Sequence, residues 1–121
     1  MSAVWLDGEL LDEDKARVSP FDHALLTGDG VFEALRVYQG VPFAVRRHLE
    51  RLGRSAAGLR LAAPPPEVLR VAMSEVITAN DLTEGRVRIT VTGGVGSWAP
   101  TGGLAVPPRS SPPVPWRAGR R

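Results

Sequence analysis

The spacing of apolar residues changes near the middle of the chain, and this change constrains the fold more than any other feature. Residues 31–38 alternate between the two faces of an extended chain and are rich in β-branched and aromatic side chains, which predicts a strand. In residues 45–59 the apolar side chains instead recur at spacings of four and three, which predicts a helix with one apolar face. These side chains are Val45, Leu49, Leu52, Ala56 and Leu59. A chain with both periods must pack a sheet against helices.

The flanking segments extend the same pattern on both sides. An Asp7-Gly8 pair between apolar residues predicts a hairpin over residues 4–11. Three prolines end the first helix, and a second helix is expected to begin at Pro66 or Glu67 and to run to about Ala79. A second alternating segment over residues 86–92 predicts a further strand. We therefore expect an α+β fold, in which an antiparallel sheet packs against two helices.

Two shorter elements are expected around the first long strand. Asp22 is placed to cap a single helical turn over residues 23–26, and Gly28 and Gly30 are placed to end it. Residues 41–43 form a short returning strand whose proline suits a sheet edge.

The last part of the chain has a different composition. Residues 93–103 contain five glycines and one proline, and further prolines follow. Such a segment lacks the apolar period needed to bury a face, so we predict a domain over residues 1–96 and a disordered tail rich in proline and arginine over residues 97–121. All thirteen acidic residues precede Gly85, and the tail carries only arginine. Its cations are sparse and mixed with proline, so we expect no nucleic-acid binding.

Composition excludes several other classes of function. The chain of 121 residues has no cysteine, which excludes disulfides, a thiolate nucleophile and cysteine-ligated zinc. No segment approaches the roughly 20 apolar residues that span a bilayer, so we expect a cytoplasmic protein without membrane contact. The two histidines, His23 and His48, have no metal-ligand spacing, and we expect no metal site. A lone histidine is more often a structural hydrogen-bonding residue than a base.

Four segments stand in order along the chain: DHALLTGDGVFEALR at residues 22–36, GVPF at residues 40–43, HLERL at residues 48–52 and VRITVTGG at residues 87–94. Together they resemble the small N-terminal domain of class IV (fold-type IV) pyridoxal-phosphate-dependent enzymes. Residues 22–36, DHALLTGDGVFEALR, resemble the family's Asp-(Arg/His)-Gly-Leu-x-x-Gly-Asp-Gly-Val-Phe-Glu-x-x-Arg segment. Gly40-Val41-Pro42-Phe43, the segment HLERL at residues 48–52 followed by Ser55-Ala56, and the segment VRITVTGG at residues 87–94 resemble its later signatures. The resemblance covers about residues 4–96, and the ordered set is more specific than any single piece.

This resemblance implies a cofactor, a set of site residues and an assembly. The cofactor is pyridoxal 5'-phosphate, its phosphate is held by Arg51, and Phe32 lines the substrate pocket. Arg88 is then placed to meet a substrate carboxylate. From the residues alone, an ordinary solvated surface is the favoured interpretation of Arg51, surface exposure is the alternative for Arg88, and a core position is the alternative for Phe32. His48, three residues before Arg51, is close enough to help shape the phosphate site. Intact members of the family are homodimers.

The resemblance also implies a lysine that bonds covalently to the cofactor aldehyde, and this chain offers no residue for that role. Its only lysine, Lys15, lies among acidic residues that favour the charged, non-nucleophilic ammonium. In the family the catalytic lysine comes from a larger C-terminal domain. We therefore assign no catalytic residue and hypothesise a truncated or frameshifted product, in which pyridoxal phosphate is not stably bound.

Two functions follow from these observations. The first is an N-terminal fragment of a class IV aminotransferase or 4-amino-4-deoxychorismate lyase, inactive alone, from a family that acts on amino acids or aminodeoxychorismate. Residues 25–33 look closer to the lyase and D-amino acid aminotransferase branch than to the branched-chain enzymes. The alternative is a non-catalytic small domain that docks on a full-length homologue.

Overall fold

The computed structural model describes residues 2–95 and the backbone of residues 116–120. Their elements, in chain order, are β1 (Ala3–Leu6), β2 (Glu9–Asp12), α1 (His23–Thr27), β3 (Gly30–Tyr38), β4 (Val41–Pro42), α2 (Val45–Gly58), α3 (Pro66–Ala79), β5 (Gly85–Thr92) and β6 (Trp116–Arg120). Each strand and helix expected from the apolar spacing is present, with bounds that differ by one or two residues. The α+β class is confirmed.

The strands form one antiparallel sheet in the order β2-β1-β6-β5-β3-β4. Its longest ladder joins β3 to β5, with Val31 opposite Val91 and Leu35 opposite Val87. This register brings the inward-facing side chains of both strands onto one face. That face of the sheet packs against the helices.

The larger of two apolar clusters lies between the sheet and the two long helices, and a smaller one joins Trp5 of β1 to Ala72 and Val76 of α3. The fully or nearly fully buried members of the larger cluster are Leu35 and Val37 of β3, Val87, Ile89 and Val91 of β5, Leu49 and Leu52 of α2, Leu69, Met73 and Ile77 of α3, and Leu82. Each such side chain stabilises the fold by about 1.5–3 kcal/mol relative to an exposed position. The core therefore fixes the position of α2 against β3, and α2 carries the predicted phosphate arginine.

The end of the chain departs from the predicted disorder. Trp116–Arg120 forms β6, which pairs with β1 on one side and with β5 on the other. These five residues contain no proline, so every backbone N–H group is available to the ladder. The composition of residues 97–121 as a whole, which is rich in proline, gave no indication that this short proline-free segment forms a strand. The remainder of the predicted tail lies outside the described residues.

Short polar contacts hold the connections between elements. Asp22 caps α1 as predicted, because its Oδ1 accepts a hydrogen bond from the Ala24 backbone N–H at 2.9 Å, and Gly28 ends α1 with a φ of 75°. Asn80, at the end of α3, forms hydrogen bonds with both the backbone N–H and the backbone carbonyl of Ala3, at 2.8 and 3.0 Å, and so connects β1 to α3.

Within the described ranges, no helix is long and apolar enough to cross a membrane.

Candidate functional site

A buried carboxylate lies at the centre of the candidate site. Glu33 belongs to β3, where every second residue points into the core, and it precedes Leu35 and Val37 on that inward face. Its residue is only 5% exposed. An ionised carboxylate at such a position requires hydrogen-bond donors, since its burial without them is costly. Those donors come from α2.

Arg51 and His48 supply these donors from one side of α2. Arg51 donates from Nε to Glu33 Oε1 at 2.6 Å and from Nη2 to Oε2 at 2.7 Å, which makes a two-point pair. His48 Nδ1 lies 2.9 Å from Glu33 Oε2, and because a carboxylate only accepts hydrogen bonds, this nitrogen is the donor. The carboxylate therefore fixes the orientation of both side chains.

The pair shifts the pKa of each partner in the direction that favours charge. Hydrogen bonding from Arg51 lowers the pKa of Glu33 below its usual 4.5, against the opposing effect of burial and with a further contribution from His48. The carboxylate in turn raises the pKa of Arg51. Both groups are thus charged at neutral pH.

The residues around Arg51 fit a phosphate group. Its two strong contacts use Nε and Nη2, and no described residue bonds to Nη1. The Arg51 side chain is 60% exposed and lines a hollow of about 410 Å³ together with His48 and two more arginines. A guanidinium held on one edge and open on the other is suited to a phosphate oxygen.

Phe32 and Arg88 lie together on the opposite face of the sheet. The Arg88 guanidinium carbon is 3.9 Å from the centroid of the Phe32 ring, and Arg88 Nε donates to Thr90 Oγ1 at 3.1 Å. Phe32 is 56% exposed, so it is not a core phenylalanine. Its stacking against a cation adds an electrostatic attraction to the contact.

The structure thus brings two of the three predicted site residues into contact and places the third across the sheet. Phe32 and Glu33 are consecutive in β3 and point to opposite faces, as the strand period predicts. Phe32 contacts Arg88 on one face, and Glu33 contacts Arg51 on the other. The Phe32–Arg88 contact and the Glu33–Arg51 contact are therefore connected through the backbone of β3, on which Phe32 and Glu33 are neighbours.

The central role of Glu33 is the feature that sequence reasoning missed. Glu33 and Arg36 are three residues apart in a strand and so point to opposite faces, and Arg36 lies over the Tyr38 ring at 5.4 Å. The available signal was an acidic residue at an inward position of an otherwise apolar strand face. Such a residue needs a cation from a neighbouring element.

Lys15 lines a different surface hollow from the one beside Arg51. It lies in the exposed loop that follows β2 and lines a different hollow of about 330 Å³, with Asp12 and Ala79 among its neighbours. None of the residues that line this hollow lines the one beside Arg51.

The pair between Glu33 and Arg51 predicts how stability depends on pH. The pKa of Glu33 is lowered in the folded state, so its contribution to stability is present above the unfolded pKa and is lost as pH falls through the folded value. We expect the urea midpoint of the chain to fall between about pH 5 and about pH 2, in the range where carboxylates protonate. Glu33→Gln is expected to flatten part of this dependence.

Glu50→Gln is the matched control for this prediction, because Glu50 pairs with Arg46 on the exposed side of the same helix. It is expected to leave the pH profile close to that of the unaltered chain. Equal flattening of the pH profile by both substitutions would contradict a special role for the pair between Glu33 and Arg51.

Comparison with known proteins places this chain in a family. Residues 30–118 match the sequence profile described as amino-transferase class IV. A putative branched-chain-amino-acid aminotransferase of Methanocaldococcus jannaschii is 43% identical over 95 residues, covering 77% of this chain and 33% of that protein. The aminodeoxychorismate lyase of Bacillus subtilis is 35% identical over 96 residues, covering 76% of this chain and 32% of that protein. The chain spans about a third of the length of these relatives.

A solved structure agrees with this result. The branched-chain aminotransferase of the thermophilic archaeon Thermoproteus uzoniensis, in complex with norvaline, superposes with a TM-score of 0.78 at 32% identity. The match covers 99% of this chain and 40% of that one. The similarity therefore includes the fold as well as the sequence.

Proposed function

Since the chain belongs to the class IV aminotransferase family, we propose that it forms the N-terminal part of a pyridoxal-phosphate site and is inactive without a polypeptide that supplies the catalytic lysine. The observation that carries this proposal is the exposed Arg51 guanidinium, held in place by buried Glu33 at the edge of a hollow. Pyridoxal phosphate, when bound, supplies an electron-withdrawing ring that weakens the bonds at the α-carbon of an amino substrate.

Arg51 is the residue we propose for the cofactor phosphate. Its charge is fixed by the Glu33 pair, and its orientation is set before any ligand arrives. Preorganisation of this kind reduces the entropy lost on binding. His48 shares the same carboxylate and so supports the geometry of the site from the same helix.

Phe32 and Arg88 are the residues we propose for the substrate. Phe32 presents an exposed aromatic face beside the Arg88 guanidinium, and a cation beside an apolar surface suits a molecule with a carboxylate and a hydrocarbon part. Substrates of this kind include amino acids and aminodeoxychorismate. The names of the relatives include both an aminotransferase and a lyase, so the proposal covers both reaction classes.

The lysine that the chemistry requires must come from another polypeptide or from a further part of a longer protein. Lys15 is exposed, and it lines a hollow that shares no residue with the Arg51 hollow. The chain spans about a third of the relatives' length, which leaves room in such proteins for the rest of the site.

An apolar surface beside the site supports association with the missing part. Helix α1 buries none of its residues, and Phe21, Leu25 and Val95 are each at least 60% exposed in this region. Large exposed apolar side chains that lie together often mark an interface. The same surface also supports the alternative function, in which the chain docks on a full-length homologue without catalysis.

A chimera tests the proposed function directly. Residues 1–96 of this chain would replace the matching third of the Methanocaldococcus jannaschii relative, which retains its own C-terminal part. We expect the purified chimera to retain pyridoxal phosphate through purification and to transfer an amino group to a 2-oxo acid, whereas the isolated 121-residue chain retains no cofactor through purification and transfers no amino group. A folded chimera without bound cofactor would contradict the proposal.

The alternative is tested by mixing the chain with an intact homologue. Co-elution in size-exclusion chromatography, together with an inactive but folded chimera, would favour docking without catalysis. Borohydride reduction of the chain with pyridoxal phosphate provides a second check. Stable labelling of Lys15 in a catalytically active chain would overturn the claim of inactivity.

A further inference from the structure

We propose that the hollow beside α2 is a preformed site for a phosphate monoester, in which Arg47 and Arg54 bind the phosphate alongside Arg51. This inference rests on the proposed function for its natural ligand, the phosphate of pyridoxal phosphate. It adds two binding residues, and it asserts that the chain alone binds the phosphate group, weakly, without the rest of the enzyme.

The three arginines form one row on the surface of α2. They are spaced by four and then three residues, which places their side chains on the same side of a helix. All three line the hollow of about 410 Å³, together with His48, Phe43 and Ala44. The three arginine side chains therefore line the same concave surface.

The charges in this row are only partly compensated. Glu33 pairs with Arg51, and Glu50 pairs with Arg46 through a 3.0 Å contact between two residues that do not line the hollow. Within the described residues, no ion pair engages Arg47 or Arg54. Two positive charges thus remain in the hollow after Glu33 is counted, and this number matches the charge of about −2 on a phosphate monoester at neutral pH.

Repulsion within the row gives a physical reason to expect a bound anion. Like charges three or four residues apart destabilise a helix, and three arginines here occupy such positions. A multivalent anion between them would convert this repulsion into attraction. The same arrangement without a ligand would be unfavourable at low salt.

The rest of the lining suits the non-phosphate part of such a ligand. Phe43 is 63% exposed at the hollow, and its ring is fixed by an edge contact with Tyr38 at 5.9 Å between centroids. A flat heteroaromatic ring can stack on its exposed face. Ala44 lines the hollow at the N-terminal end of α2, where no side chain caps the helix, so the dipole adds to the attraction for an anion.

The test uses the full chain and three probes: inorganic phosphate, pyridoxal phosphate and pyridoxal, which lacks the phosphate. Binding is measured by isothermal titration calorimetry at low salt. We expect both phosphate-bearing probes to bind and pyridoxal to bind at least about tenfold more weakly than pyridoxal phosphate. Arg47→Gln combined with Arg54→Gln is expected to weaken the binding of inorganic phosphate by about tenfold or more.

Arg46→Gln combined with Arg70→Gln is the matched control, because it removes the same net charge from exposed positions outside the hollow. We expect its phosphate affinity to stay within about twofold of the unaltered chain, since distant exposed charges are screened. Circular dichroism verifies that both double variants keep the fold.

Three outcomes would overturn the inference: no phosphate binding by the chain, equal losses in the two double variants, or binding that Arg51→Gln abolishes while the Arg47 and Arg54 substitutions leave it intact. The last result would leave the proposed role of Arg51 standing. Failure of the chimera to hold cofactor, with phosphate binding by the chain preserved, would instead contradict the proposed function alone.

Discussion

Leu52→Ala is expected to lower the free energy of unfolding of the chain by about 3 kcal/mol, within the range observed for leucine truncation in closely packed cores. Leu52 is fully buried, and it is the α2 residue next to Arg51 that packs into the core against the sheet. Truncation leaves a cavity that the rigid sheet cannot fill. Urea unfolding followed by circular dichroism measures the loss, with the slope of the transition verifying that unfolding stays cooperative.

Leu59→Ala makes the same chemical change just beyond the end of α2, where Leu59 is 47% exposed. Its effect is expected to be below about 1 kcal/mol, because little apolar surface returns to water. Similar losses from the two substitutions would show that α2 does not pack against the sheet as described. Such a result would also undermine the position of Arg51.

Arg51→Gln in the chimera is expected to weaken the retention of pyridoxal phosphate on the order of tenfold to a hundredfold, which is typical of losing a charge-assisted phosphate contact. Glutamine keeps a polar side chain next to Glu33, but it carries no charge and offers fewer donors. The measurement is the dissociation constant of pyridoxal phosphate from the apo-chimera, followed by its absorbance. It reports on binding and needs no turnover.

Arg46→Gln is the control for this prediction, since it removes a positive charge from the same helix at a side chain that is 86% exposed. We expect its cofactor affinity to be nearly unchanged. If Arg51→Gln bound pyridoxal phosphate as well as the unaltered chimera does, Arg51 would have no role in holding the phosphate, and the proposal for this residue would be withdrawn.

The elements of the fold were predictable because their signals are local. The alternation in β3 and β5 and the helical spacing in α2 and α3 depend on which side chains share a face, and this information lies within a few consecutive residues. The cap at Asp22 and the end of α1 at Gly28 were predictable for the same reason. The resemblance added Arg51, Phe32 and Arg88 as candidates without stating their partners.

Strand β6 could not be predicted from these local signals. A five-residue segment that follows a stretch rich in proline and glycine has no period of its own, and its position between β1 and β5 depends on backbone pairing with strands from much earlier in the chain. The order of strands in the sheet is therefore a property of the assembled structure. It was not recoverable from the composition of the tail.

The sequence by itself determined the fold class, the helices and strands from β1 to β5, the family and the absence of a lysine suited to the chemistry. The strand period already predicted that Phe32 and Glu33 face opposite sides of β3, but only the tertiary structure decided that Arg51 is held by Glu33 and that Phe32 stacks with Arg88. The reason is physical. Periodicity reveals which face a side chain occupies, but the partner it meets there depends on how α2 and β5 pack and register against β3.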